Sequence, residues 1–187
     1  MSKILIITAP SGAGKSTITK RLLQEFPKLK FSVSACTRNP RGTEKHGVDY
    51  YFISVEEFKQ KIEEQAFVEW EMVYEGKYYG TLKSELHRIW DNGEMPLFDI
   101  DVKGAMKVKE IYGDKAVSVF IKVPDLDVLR KRLEARNTDR PEAIDERIKK
   151  ASYEESFADR FDYIVLNDVL EDAVAQVRSI VHSMFAE

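Results

Sequence analysis

The feature that most constrains this chain is the run Ala9-Pro10-Ser11-Gly12-Ala13-Gly14-Lys15-Ser16-Thr17. It follows an apolar, β-rich segment, Lys3 to Thr8. It precedes a segment, Lys15 to Phe26, whose Ile18, Leu22 and Leu23 recur on a helical period as far as Pro27. Strand, glycine-rich turn and helix in that order form a cradle for phosphate oxygens. The glycines let backbone N–H groups turn inward, and the helix N-terminus adds its dipole. Lys15 supplies a point charge for β- and γ-phosphates, and the Ser16 hydroxyl is a ligand for Mg²⁺. The usual pattern begins with Gly where this chain has Ala9. If the backbone there needs a positive φ, Ala costs roughly 1 kcal/mol; if φ is negative, Ala is harmless.

The rest of the chain reads as alternating strands and helices. Strands are expected at Phe31 to Cys36, Tyr50 to Ile53, Phe67 to Val73, Tyr78 to Gly80, Met95 to Val102, Ala116 to Val123 and Tyr163 to Leu166. Helices are expected at Val55 to Gln65, with Ser54 as N-cap, then at Ser84 to Asn92, Ala105 to Tyr112, Asp125 to Ala135, Glu142 to Phe157 and Leu170 to Phe185. The pattern predicts an α/β fold with a parallel sheet. Residues 33–90, with short strands and the polar loop 37–49, read as an inserted α+β lobe.

Length and charge narrow the function. A chain of 187 residues can bury a full core as one unit. The net charge of −3 excludes a uniformly basic nucleic-acid coat, and the basic excess lies in residues 1–32 and 122–150. A single cysteine, Cys36, excludes an internal disulfide framework and a multi-cysteine zinc site. No apolar run is long enough for a membrane span, and the N-terminus does not read as a secretory signal, so the expected home is the cytoplasm. Nucleotides are the expected partners, with neither nucleic acid nor membrane, on a monomer or weak homo-oligomer.

A second acidic signal agrees with the loop. Leu97-Phe98-Asp99-Ile100-Asp101 reads as an apolar strand ending in carboxylates, and strand alternation would set Asp99 and Asp101 on one side of it. An acid at the end of a neighbouring strand helps hold the metal shell in nucleoside triphosphatases, which marks Asp99 beside Ser16.

The inserted region separates the possible chemistries. Ser34-Ala35-Cys36-Thr37-Arg38-Asn39-Pro40-Arg41-Gly42, Gly47-Val48-Asp49-Tyr50-Tyr51-Phe52, Glu69-Trp70 and Tyr78-Tyr79-Gly80-Thr81 together resemble the nucleotide-accepting lobe of guanylate kinases. Ser11 to Thr17, Asp99-Ile100-Asp101 with Gly104, Arg132 to Arg136, Arg147 and Val165 to Asp168 have counterparts in that family, in order, so the resemblance covers essentially the whole chain. It implies a P-loop NTPase core of three layers (1–32, 91–124, 153–187), a GMP-binding lobe (33–90) and a helical lid (125–152). It implies transfer of the γ-phosphate of ATP to GMP, and to dGMP, with Mg²⁺.

The resemblance assigns Arg38, Arg41, Tyr50 and Tyr79 to the GMP phosphate, and Ser34, Glu69, Thr81 and Asp101 to the guanine. The chemistry is sound: arginine forks and phenols suit a dianionic phosphate, and a carboxylate accepts both guanine N–H groups, which adenine does not present. In the lid, Arg136 and Arg147 would reach the phosphates and Arg132 assist, while Asn167 would sit on the adenine side of ATP. Asn137 stands where relatives often have Gly, and Ala35-Cys36 where many have hydroxyl residues. Two rival readings are a kinase for another phosphorylated acceptor and a non-enzymatic binding module on the same fold. The guanine-side set argues against the first, and the standing Lys15 and Ser16 against the second.

Overall fold

The computed structural model describes residues 3–135 and 140–186. Nine strands are found among them: β1 (Ile4–Thr8), β2 (Leu29–Phe31), β3 (Ala35–Cys36), β4 (Tyr51–Phe52), β5 (Phe67–Tyr74), β6 (Lys77–Leu82), β7 (Met95–Asp99), β8 (Ala116–Lys122) and β9 (Tyr163–Leu166). The helices are α1 (Lys15–Glu25), α2 (Val55–Glu63), α3 (Lys83–Asp91), α4 (Val102–Tyr112), α5 (Leu126–Ala135), α6 (Pro141–Glu155) and α7 (Leu170–Ala186).

The main sheet has five parallel strands in the order β2-β7-β1-β8-β9. Its central strand explains the apolar run read in the sequence. Leu5 and Ile7 point into a core shared with α1, α6 and α7, and Ile4 and Ile6 point into a second core shared with α3 and α4. A strand buried on both faces needs no polar alternation, which is the mark of a parallel sheet covered by helices. β9 is the edge strand, and only its Val165 is buried.

The smaller sheet runs β4-β3-β6-β5 and is mostly antiparallel. α2 closes one side of it, with Phe58 stacked on Phe67 at 4.3 Å and packed against Ala35. Ser54 caps α2 by accepting from the Glu57 N–H at 3.0 Å.

Two expectations need correction. Phe31 to Cys36 is not one strand: Phe31 ends β2 in the main sheet, and Ala35 begins β3 in the smaller one. Three residues, Ser32 to Ser34, carry the chain between the sheets, and the alternation of Phe31, Val33 and Ala35 with the two serines made the segments look continuous. The strand expected to run through Val102 ends at Asp99. Asp101 is the N-cap of α4, its Oδ1 accepting from the Gly104 N–H at 2.9 Å. Asp99 and Asp101 therefore do not share a strand face.

Candidate active site

The crevice lies where β1 passes between β7 and β8, at the carboxyl ends of the strands, the place where open α/β sheets bind ligands. The glycine-rich loop leaves β1 there and enters α1. Gly12 and Gly14 have φ of 98° and 94°, a region closed to most L-residues. Ala9 is not among the described residues with positive φ, so the alanine carries no backbone cost. α1 has no side-chain cap at Gly14 and no acid in its first turn; the Thr17 N–H donates to Gly14 O at 3.1 Å, which leaves the N–H groups of Lys15 and Ser16 for an anion. Lys15 is ion-paired with Asp99, and Ser16 and Thr17 are exposed at the start of the helix. Pro10, Ser11, Gly12, Gly14, Lys15, Ser16, Thr17, Asp99 and Asp101 line a cavity of about 350 Å³.

The loop is held from behind. Asn167 is buried, and its Nδ2 donates to Ala13 O at 2.7 Å. A Cβ on Gly14 would run into that amide. Arg132 Nη2 donates to Asn167 O at 2.9 Å and to Asp168 O at 3.3 Å. Thr8 Oγ1 donates to Ile100 O at 3.0 Å, tying the loop strand to the turn that bears Asp99 and Asp101.

A second cluster forms on the smaller sheet. Glu69 and Thr81 are cross-strand partners on β5 and β6, both buried, and Thr81 Oγ1 donates to Glu69 Oε1 at 2.7 Å. Burial pushes the Glu69 carboxyl up to about 7, and the nearby Asp101 charge adds to it. Gly104 lets the two acids converge: a Cβ there would lie 3.0 Å from Glu69 Oε2 and 3.5 Å from Asp101 Oδ1. Ser34 is half-buried at the crossing between the sheets.

The basic end of this lobe is built around Arg38. Its guanidinium lies 4.9 Å from the Tyr50 ring centre and grips Glu44 through Nη1 and Nη2 at 2.5 and 2.8 Å. Glu44 also accepts from the Arg41 N–H at 2.8 Å, and its carboxyl is held down to about 2, chiefly by Arg38. Tyr50 and Tyr79 meet edge to face at 6.1 Å. Arg41, Tyr79 and, from α6, Arg147 line a cavity of about 420 Å³. Arg147 reaches across to the Ser11 hydroxyl of the loop. Arg136 lies outside the described residues. Cys36 is buried with its thiol pushed up by that burial, so it packs.

Sequence reading missed several participants. Glu71 follows Glu69 by two on β5, and alternation alone would have put it on the same face; burial and then Asp101 push its carboxyl up. Lys150 and Glu154 stand three and seven residues after Arg147, on one face of α6. Glu44 sits in an irregular loop and had no periodic signal.

The oxygen donors fit Mg²⁺. Ser16 and Asp99 offer a hydroxyl and a carboxylate at the loop. Among the described residues no group of three or more His, Cys, Asp or Glu is placed to hold a metal. That fits a cation held largely by substrate phosphates and water, as Mg²⁺ is.

A family model described as guanylate kinase matches residues 1–184. The guanylate kinase of Bacteroides thetaiotaomicron is 48% identical over 179 residues, covering 96% of this chain and 88% of that one. That of Porphyromonas gingivalis is 47% identical over 188 residues, covering both chains fully. The crystal structure of guanylate kinase from Anaplasma phagocytophilum superposes with a TM-score of 0.78 at 31% identity, over 97% of this chain and 85% of that one. A shikimate kinase from Bacteroides thetaiotaomicron matches at TM-score 0.53 and 18% identity, a likeness of fold alone.

Proposed function

The chain belongs to the guanylate kinase family and is an ATP:GMP phosphotransferase, and from that premise we propose how its residues divide the work. One observation supports the division best. The buried Glu69–Thr81 pair meets Asp101 beside Gly104, and Asp101 also lines the cavity of the phosphate loop with Lys15, so the two clusters adjoin.

The loop Ala9 to Thr17 holds the ATP phosphates through its N–H groups and Lys15. Asn167 acts on the donor through Ala13. Ser16 and Asp99 would hold Mg²⁺, which when bound would supply charge neutralisation at the donor phosphates. Guanine is read by the Glu69 carboxylate, which accepts N1–H and the exocyclic amine, with Asp101, Ser34 and Thr81 completing the pocket. Arg38, Arg41, Tyr50 and Tyr79 take the GMP phosphate. Glu44 takes one donor from each terminal nitrogen of Arg38 and so fixes the guanidinium for that phosphate.

In the transfer an oxygen of the GMP phosphate forms a bond to the γ-phosphorus. The bond from that phosphorus to the β,γ-bridging oxygen breaks, and ADP leaves with the electron pair. The acceptor oxygen is already anionic near neutral pH, so no general base is needed. Arg147 and Arg136 steady the charge on the phosphoryl group, and Arg132 assists from its seat beside Asn167. α5 and α6 form a lid whose closure, with that of the lobe, excludes water. We place the enzyme in the cytoplasm as a monomer or weak homo-oligomer. No helix among the described residues is long and apolar enough to cross a membrane.

A coupled assay with GMP, dGMP, AMP, CMP and UMP tests this reading. GMP and dGMP are expected to turn over, with AMP disfavoured by about 10⁴-fold because it leaves the buried Glu69 carboxylate unpaired. Comparable rates with AMP would overturn the base assignment.

A further inference from the structure

Glu154 is a buried carboxylate, 6% exposed, that the division of labour above does not use. It lies near the end of α6, one turn after Lys150, whose Nζ is 3.7 Å from Glu154 Oε1. Both residues border the loop cavity with Lys15, Ser16 and Asp99. Both border a neighbouring cavity of about 260 Å³ that reaches Glu71 and Asp101. Both also border the cavity shared by Arg41, Tyr79 and Arg147. Among the described residues these two alone line all three. They therefore stand where the donor end, the guanine end and the acceptor-phosphate end of the crevice meet.

The rest of the helix supports the placement. Arg147 points from the same face of α6 and touches Ser11 of the loop, so this face is the one turned to the reacting centre. At 3.7 Å the Lys150 ammonium is near Glu154 without being locked to it. Its side chain is 58% exposed, so the flexible stem is free to turn toward an incoming phosphate. Burial and the Asp101 charge push the Glu154 carboxyl up, and Lys150 and Lys15 draw it down, so the acid is electrically joined to both lysines.

Resting on the reaction assigned above, we infer that Lys150 is a further catalytic residue, a cation that meets the phosphoryl group in transit, and that Glu154 is the positioning residue that keeps it there. Lys150 forms no covalent bond and neither gives nor takes a proton. In a loose transfer the charge spreads over three equatorial oxygens, and a mobile ammonium between donor and acceptor opposes it. Glu154 limits the range of the stem and keeps the ammonium from lying against Asp101.

Steady-state kinetics with ATP, GMP and Mg²⁺ test the inference on wild type, Lys150→Met, Lys150→Gln, Lys150→Arg and Glu154→Gln, with melting temperatures measured alongside. The two neutral Lys150 variants are expected to lose about 10- to 100-fold in kcat, with both KM values within about twofold of wild type. Lys150→Arg is expected to recover most of the loss, and Glu154→Gln to lower kcat several-fold with KM unchanged. The inference is overturned if the neutral variants keep kcat within twofold, if Lys150→Arg is as slow as Lys150→Met, or if the loss appears in KM alone. Wild-type inactivity on GMP would be a different failure, that of the assigned reaction itself.

Discussion

Lys15 and Glu69 show how single side chains define this site. Lys15 is 22% exposed and paired with Asp99, itself 25% exposed and open to the loop cavity, where water can solvate the carboxylate once the lysine is gone, so its removal should cost the fold little. Its proposed work is done on the donor phosphates. Lys15→Met is expected to lower kcat by at least about 10²-fold while the melting temperature stays near that of wild type. Turnover within tenfold of wild type would remove Lys15 from the mechanism. Glu69 makes a pH prediction. Its folded-state value, about 7, lies above the ordinary 4.5, because burial penalises the charged form. The unfolded chain releases this proton first, so as pH rises from about 4.5 to 7 this group lowers stability. Guanine recognition needs the ionised form, so the KM for GMP should fall as pH rises through 7. The phosphate of GMP titrates near 6 and contributes its own step. Glu69→Gln should keep the phosphate step and lose the one near 7; an unchanged profile would show that Glu69 does not read the base.

At the scale of elements, Asp101 does two things. It caps α4 through the Gly104 N–H, and its carboxylate faces Glu69. Substitution separates the roles. Asp101→Asn retains a capping oxygen and should leave stability nearly unchanged, whereas Asp101→Ala should cost about 1 kcal/mol. Both should raise the KM for GMP, and urea titrations beside GMP kinetics check the split; a normal KM in either variant would confine Asp101 to capping. The same residue shows what the sequence could disclose. The loop, α1 and the buried strands were legible because strand, turn and helix each left a periodic or compositional mark. The resemblance pointed to Glu69, Thr81 and Asp101 together. The break at Ser32 to Ser34 was not legible, because Ser32 and Ser34 alternate with Phe31, Val33 and Ala35 and so continue the period of a strand. Nor was the Arg38–Glu44 fork, because an irregular loop has no period to follow. Lys150 and Glu154 did carry a signal, their spacing from Arg147, but an i+3 and i+7 face reads equally as solvated helix until a cavity is seen beneath it.

At the scale of the molecule, the two sheets, already in contact where Val68 of β5 packs among residues of α3 and α4, must act as one body, and Glu85 on α3 adds a polar tie between them. It is 2% exposed. Its Oε1 accepts from the Val33 N–H at 3.2 Å, in the crossing between the sheets, and its Oε2 accepts from the Tyr51 hydroxyl at 3.0 Å, on β4. Arg88 holds both oxygens from the next turn, at 2.8 and 2.9 Å, and it and the other two donors draw the carboxyl below its ordinary range despite burial. Glu85→Ala would leave the Val33 and Tyr51 donors without their acceptor, at a cost of about 2 kcal/mol; Arg88 is half-exposed and can turn to water. That loss should fall on the smaller sheet first, because the main sheet keeps its five strands and both helical layers. The two tryptophans report the parts separately. Trp70 lies on β5 of the lobe, and Trp90, on α3, is packed into the main core with its Nε1 donating to Lys3 O at 3.2 Å. With either one replaced by phenylalanine, urea unfolding should give coincident curves for the parent protein. In the Glu85→Ala background the Trp70 curve should move to lower urea by about 1 M, ahead of the Trp90 curve. Curves that stay superimposed would mean that the sheets are joined mainly elsewhere, through the packing of α4 on β5 beneath Val68.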